Sequence, residues 1–317
     1  MSNNFWNLFS MLLPVLFENY EQITQVFHDA CVIGNVELVQ LLNYCILVYE
    51  FDFGYNKAIC TAIQNGQLAV VELLLNSSLN INDMIRFASE LGFIDIVDIL
   101  LQDKFGKIDP SIVNNAAFKI ASRNGHIAVV DRLLRYKTKL GLRVNPSTNN
   151  NIAIRYACQF GHIAVVDRLL QEKKVNPSTV FNDAIRIASL NGHIAVVDRL
   201  LQEDRSKNRV DPSADDNFAI RIASRNGHIA VVDRLLQEPK NRVDPSADNN
   251  FAIRWASHNG HIAVVDRLLQ ESRVDPTFYN NDAIQCAYRN GHVAVVDRLL
   301  QNKAVADMND KFKQYHI

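Results

Sequence analysis

The sequence predicts an all-α solenoid of about nine helix–turn–helix repeats joined by projecting finger loops. Three observations predict it. The phrase Gly-His-Ile-Ala-Val-Val-Asp-Arg-Leu-Leu opens at Gly125, Gly161, Gly192, Gly227 and Gly260, and with Val for Ile at Gly291. Looser copies open at Gly34, Gly66 and Gly92, so that successive glycines lie 26 to 36 residues apart. Between phrases, Val-Asp/Asn-Pro-Ser/Thr recurs and, with the variant at Ile108–Ser111, holds six of the eight prolines.

Each element of a repeat follows from its residues. Before Gly227, Phe218 to Ser224 reads FAIRIAS. Ala219, Ile220, Ala223 and Ser224 give a short helix with a small-residue face, which lets neighbouring helices approach closely. Asn226-Gly227 then stops the helix and turns the chain, since both residues tolerate positive φ. After the glycine, apolar residues fall at offsets 2, 4, 5, 8 and 9 (Ile229, Val231, Val232, Leu235, Leu236). Ala230, Asp233, Arg234 and Gln237 fill the opposite face, so a second, amphipathic helix is predicted. Asp-Pro-Ser is a turn former that no helix continues through, so the joining segments project as fingers. The asparagines that come next (Asn149, Asn182, Asn217, Asn250) are expected to cap the next first helix.

Composition narrows the function classes. The net charge of the chain is −1, which points to no polyanionic partner. Residues 1–56 hold six acids and no Lys or Arg, leaving the remainder net basic. Five cysteines, an odd number without a CxxC pair, fit a reducing compartment, so a cytoplasmic location is expected. Phe5 to Phe17 is apolar but too short to span a bilayer, is interrupted by Pro14 and lacks a basic start, so no membrane contact or secretion is expected. It is expected to cap the first repeat. The domain reading is 1–26 as an N-terminal apolar capping segment, 27–300 as the repeats and 301–317 as a C-terminal cap or tail. There is no phosphate loop, HExxH or GxSxG, so no enzyme activity and no cofactor is expected. The in-frame histidines (His126, His162, His193, His228, His261, His292) would stand about 10 Å apart, too far to share one ion at ordinary Zn–N lengths, so no metal is expected.

Two antiparallel helices of this size, the Gly-His turn, Val-Val…Leu-Leu in the second helix and a projecting finger resemble the ankyrin repeat. The likeness covers about residues 27–300. Two departures stand out: the family's Thr-Pro-Leu-His opening is replaced by sets such as Phe218-Ala219-Ile220-Arg221, and its Gly after the second helix is missing from most copies. The NGHIAVVDRLL/VDPS wording resembles the paralogous ankyrin sets of amoeba-infecting giant viruses and protists, for which the location would be the host cytoplasm. The resemblance implies a non-enzymatic scaffold, expected as a monomer, that binds a protein partner through a concave groove and the finger loops.

Variation among near-identical copies locates the candidate surface. The second helix hardly changes. The place two before the glycine does: Arg123, Gln159, Leu190, Arg225, His258, Arg289. The resemblance puts this place on the groove. The expected partner-binding residues are Arg123, Arg225, Trp255, His258, Phe278, Tyr279 and Arg289, because aromatics and Arg dominate hot spots. Asp-Arg pairs of the second helix (Asp198-Arg199, Asp233-Arg234 and their counterparts) are expected to form two rows in which each Arg reaches an Asp of an adjacent repeat. A further basic row lies six before each glycine: Arg86, Lys119, Arg155, Arg186, Arg221, Arg254, ending at Gln285. It offers two readings. One is a stripe for a nucleic-acid backbone, disfavoured because stacking aromatics are sparse. The other is a structural row bonding finger carbonyls. The remaining alternative is an adaptor in which 1–26, with an F-box-like echo at Leu13-Pro14…Leu16-Phe17, docks a ubiquitin ligase or another machine.

Overall fold

In the computed structural model the residues described are 20–49, 55–74, 81–102, 112–138, 141–203, 209–239 and 242–307. Among them eighteen helices pair into nine repeats, one around each predicted glycine, with no strand. The chain divides into two compact parts, 1–145 and 146–317.

The N-terminal part holds four helix pairs: Tyr20–Ile33 with Val36–Tyr49, Tyr55–Gln64 with Leu68–Leu74, Ile81–Leu91 with Ile94–Leu101, and Ile112–Asn124 with Ile127–Arg135. The first helix begins at Tyr20, so the boundary expected at 26/27 falls inside it. Ile23 and Phe27 are both buried on its inner face, and a packed helix cannot be divided there. The capping segment proper, residues 1–19, lies outside the described residues.

The C-terminal part holds five pairs: Thr148–Gln159 with Ile163–Leu170, Thr179–Leu190 with Ile194–Leu201, Ala214–Arg225 with Ile229–Leu236, Ala247–His258 with Ile262–Leu268, and Phe278–Arg289 with Val293–Leu300. The second helices bury the predicted stripe. Val231, Val232 and Leu235 are fully buried, as are Ala219, Ile220 and Ala223 opposite them. Neighbouring repeats pack most closely through their first helices, where Ser189, Ser224 and Ser257 occupy buried small-residue places.

The glycine is required twice over. Gly227 has φ +75°, and a Cβ there would lie 2.6 Å from Nδ1 of His261 in the next repeat. That imidazole is itself fixed. Its Nε2–H donates to the Arg225 carbonyl at 3.0 Å. His126, His193, His228 and His292 make the same bond to Glu90, Gln159, Leu190 and His258. The carbonyl accepting it belongs to the varied place of the preceding repeat. In three repeats the Asn before the glycine reinforces the bond: Asn124, Asn226 and Asn259 donate to the same carbonyls.

The fingers correct one expectation. The asparagines do not cap helices. Each repeat of the C-terminal part opens on one turn of left-handed backbone: Asn149–Asn151, Val180–Asn182, Asp215–Asn217, Asp248–Asn250 and Tyr279–Asn281, all with φ between 50° and 64°. Asn and Asp tolerate that region best, which accounts for most of the tip composition. The last residue of each turn faces the following finger. Asn151, Asn182, Asn217 and Asn250 accept the backbone N–H of Asn176, Asp211, Asp244 and Asp275 at 2.7–2.8 Å. In the first copy the clamp is Asn151, so Asn149 is out of frame. In the N-terminal part Asn115 accepts from Asn145 N–H. The same Asp or Asn accepts from the Ser or Thr two residues on, as in Ser246 N–H and Oγ to Asp244. The carboxylate therefore holds the turn that Pro begins.

Candidate functional site

At Leu190, Arg225 and His258 the backbone of the varied row is pinned by the histidine of the next repeat. Arg225 and Arg289 are exposed and His258 is half-buried. The structure brings three predicted residues together. The Arg225 guanidinium lies 4.7 Å over the Trp255 ring, and Trp255 packs 4.9 Å from His258. Half-buried Trp255 is thus a platform between two members of the row. His258 Nδ1 lies 3.2 Å from Asn290 Nδ2 of the next repeat, which fixes the imidazole. Arg289, one repeat further along, bonds Gln285 Oε1 at 2.9 Å.

The other predicted residues stand apart. Phe278 and Tyr279 form a T-shaped pair at 4.6 Å on the last finger, with the Arg254 guanidinium 4.8 Å over Tyr279. Arg123 is exposed on the helix Ile112–Asn124 of the N-terminal part, whereas the rest belong to the C-terminal part.

Sequence reasoning missed Phe251, which stacks 5.5 Å from Trp255 and has the Arg221 guanidinium 4.7 Å over its ring. It also missed Phe181 and Tyr288, exposed at 80% and 77%. The available signal was register. Phe251 and Phe218 stand where Asp183 and Asp282 stand in other copies, and each aromatic there coincides with an Asp at the finger tip.

That exchange explains the row six before the glycine. Arg155 and Arg254 pair with Asp183 and Asp282 of the next repeat. Where Phe replaces that Asp, the Arg stacks on the ring and pairs with a tip carboxylate. Arg186 lies over Phe218 and pairs with Asp215; Arg221 lies over Phe251 and pairs with Asp248. Arg221 and Arg254 also reach the finger carbonyls of Asp216 and Asn249. The second helices carry the expected cross-repeat pairs, with Arg199 on Asp167, Arg234 on Asp198 and Arg267 on Asp233 at 2.6–2.8 Å. A Glu four residues on, as in Arg234–Glu238, completes several of them.

No activated nucleophile emerges among the described cysteines. Burial pushes the Cys31 thiol up to about 12 and raises Cys158 further. Burial first, then neighbouring carboxylates, also raises Cys60 and Cys286. Among the described residues no three His, Cys, Asp or Glu converge as metal ligands, and no helix is long and apolar enough to cross a membrane.

A family model described as ankyrin repeats (3 copies) matches residues 84–181, 118–216 and 220–311. Among solved structures the chain is similar to an ankyrin repeat family protein from Legionella pneumophila, at 17% identity and a TM-score of 0.37, covering 80% of this chain and 84% of that one. No curated protein matches. With most of the chain under the family model and nine helix pairs turned by Gly, this chain belongs to the ankyrin-repeat family.

Proposed function

We propose that the chain is a non-enzymatic scaffold that binds a protein partner through the row two before the glycine and through the finger tips, with Arg225, Trp255, His258 and Arg289 at the centre, and Arg123, Phe278 and Tyr279 as outlying contacts. Ankyrin repeats are generally protein–protein interaction modules, typically without enzymatic activity. One observation carries the choice of surface. The backbone carbonyls of Leu190, Arg225 and His258 are each held by the histidine of the next repeat, so the side chains at these places vary while the backbone bond is kept. Rigid presentation of Arg and Trp suits a hot spot, since little freedom is lost on binding. We place this activity in the cytoplasm, carried by a monomer.

The nucleic-acid reading loses its basis in the row six before the glycine, because those guanidinia are engaged by carboxylates and rings. The adaptor reading rests on 1–26, of which 1–19 lie outside the described residues. Deleting 1–19 rather than 1–26 tests it without cutting the first helix. Loss of a second partner with cargo retained would favour the adaptor.

The groove is tested by site-specific photo-crosslinking in the native cell. A crosslinking residue at position 258 should capture a protein that the same residue at exposed Ala230, on the second helix, does not. Equal capture from both positions, or capture from 230 alone, contradicts the proposal.

A further inference from the structure

Resting on that reading of the groove, the structure assigns a partner chemistry: we propose that Arg225, Trp255, His258 and Arg289 receive an extended acidic peptide with two carboxylates about five or six residues apart and an aromatic or apolar side chain between them. Of the arginines in the C-terminal part, Arg155, Arg168, Arg186, Arg199, Arg221, Arg234, Arg242, Arg254, Arg267, Arg273 and Arg298 each hold a carboxylate of this chain. Arg225 and Arg289 hold none among the described residues. One lies on an indole and the other bonds a neutral amide. Both are exposed, in register, two repeats apart. With so many guanidinia of the C-terminal part already paired, these two are charges left for a ligand.

Geometry sets the spacing. Packed helices lie about 8–10 Å apart, so two repeats separate the helices that carry the two arginines by about 16–20 Å. An extended chain covers that distance in about five or six residues at roughly 3.3 Å each. Between the two cations lie Trp255, stacked on Phe251, and His258, tilted 58° to the indole, which together form an aromatic floor. Such a floor accepts an apolar or aromatic side chain. A polynucleotide fits less well. It offers phosphates far more closely spaced than these two cations.

The test is fluorescence anisotropy on the full chain. The probe is a labelled Gly/Ser-based peptide of about twelve residues with two Asp about six residues apart around one Phe. Its isomer with the two Asp adjacent, its Asn version and a labelled oligouridine are the comparisons. The spaced peptide should bind about tenfold more tightly than either peptide control, more weakly as salt rises. R225A and R289A should each weaken it about tenfold, while R254A, whose guanidinium is already held by Asp282, changes nothing. Absent binding, equal binding of the isomers, an equal effect of R254A, or tighter binding of oligouridine overturns the proposal. A partner crosslinked from position 258 through a neutral segment also overturns it yet leaves the groove reading standing. Absence of any crosslink from 258 instead overturns the groove reading itself.

Discussion

The Gly260 and Gly291 repeats carry the same invariant residues, but among the described residues only the first has another repeat stacked after it. Asn250 and Asn281 are both buried, at 6% and 3% exposure. Asn250 Oδ1 accepts the Asp275 N–H at 2.7 Å, whereas Asn281 Oδ1 has no hydrogen-bond partner. Gly260 faces the His292 ring, and Gly291 faces nothing within 4 Å. Asp266 holds Arg298, while Asp297 is exposed and holds no cation among the described residues. The cause is local. Val305 is buried at the place of Val274, but Ala306-Asp307 stands next where a finger has Asp-Pro. Without the proline the chain coils, and Ala306 N–H donates to Asn302 O rather than to Asn281. The forward-facing residues change too. Gln285 replaces Arg, and the largely exposed Tyr288 stands where Ser224 and Ser257 are buried beneath the next repeat. The invariant residues therefore serve the next repeat, and a recognition surface has to be sought among the others.

Matched substitutions break or sharpen this contrast. The largest difference is expected for Asn250→Ala against Asn281→Ala. Both put Ala in left-handed backbone, but the first takes the acceptor from the part-buried Asp275 N–H whereas the second removes a buried oxygen that had no partner, so the first should cost about 1–3 kcal/mol more in chemical denaturation. Next comes Gly260→Ala against Gly291→Ala. Both pay about 1 kcal/mol for positive φ, and the first must also displace the His292 ring, adding about 1 kcal/mol of strain or lost hydrogen bond. The smallest is Asp233→Asn against Asp297→Asn. Asp233 pairs with Arg267 in a half-exposed site, so the difference should stay within about 0–1 kcal/mol and shrink with added salt. Equal costs within each pair would show that the invariants act inside their own repeat.

Much of this was legible in the sequence. The helix pairs followed from period, the turn from Asn-Gly, and the cross-repeat Asp-Arg rows from stacking identical faces. What escaped depends on partners that spacing does not reveal. Asn217 and Asn250 read as helix caps because Asn before an apolar run usually caps. Their left-handed backbone turns the side chain to the next finger instead. Phe251 was not singled out, and its stacking against Trp255 needed coordinates. Of the candidate surface, register alone placed Arg225, His258 and Arg289 in one row. That Arg225 and Arg289 lack carboxylates while Arg221 and Arg254 have them was invisible until the Asp–Phe exchange between repeats was read in three dimensions.

The central claim is that one arginine row builds the stack and the other binds. A matched pair of triple variants tests it most directly, by measuring the unfolding midpoint and the affinity for the crosslinked partner together. R225A/H258A/R289A should keep the midpoint and lose about tenfold or more in affinity. R186A/R221A/R254A should lower the midpoint and bind normally at temperatures where it is folded. A groove variant that unfolds early yet binds normally, or a stack variant that loses the partner while folded, would contradict the account.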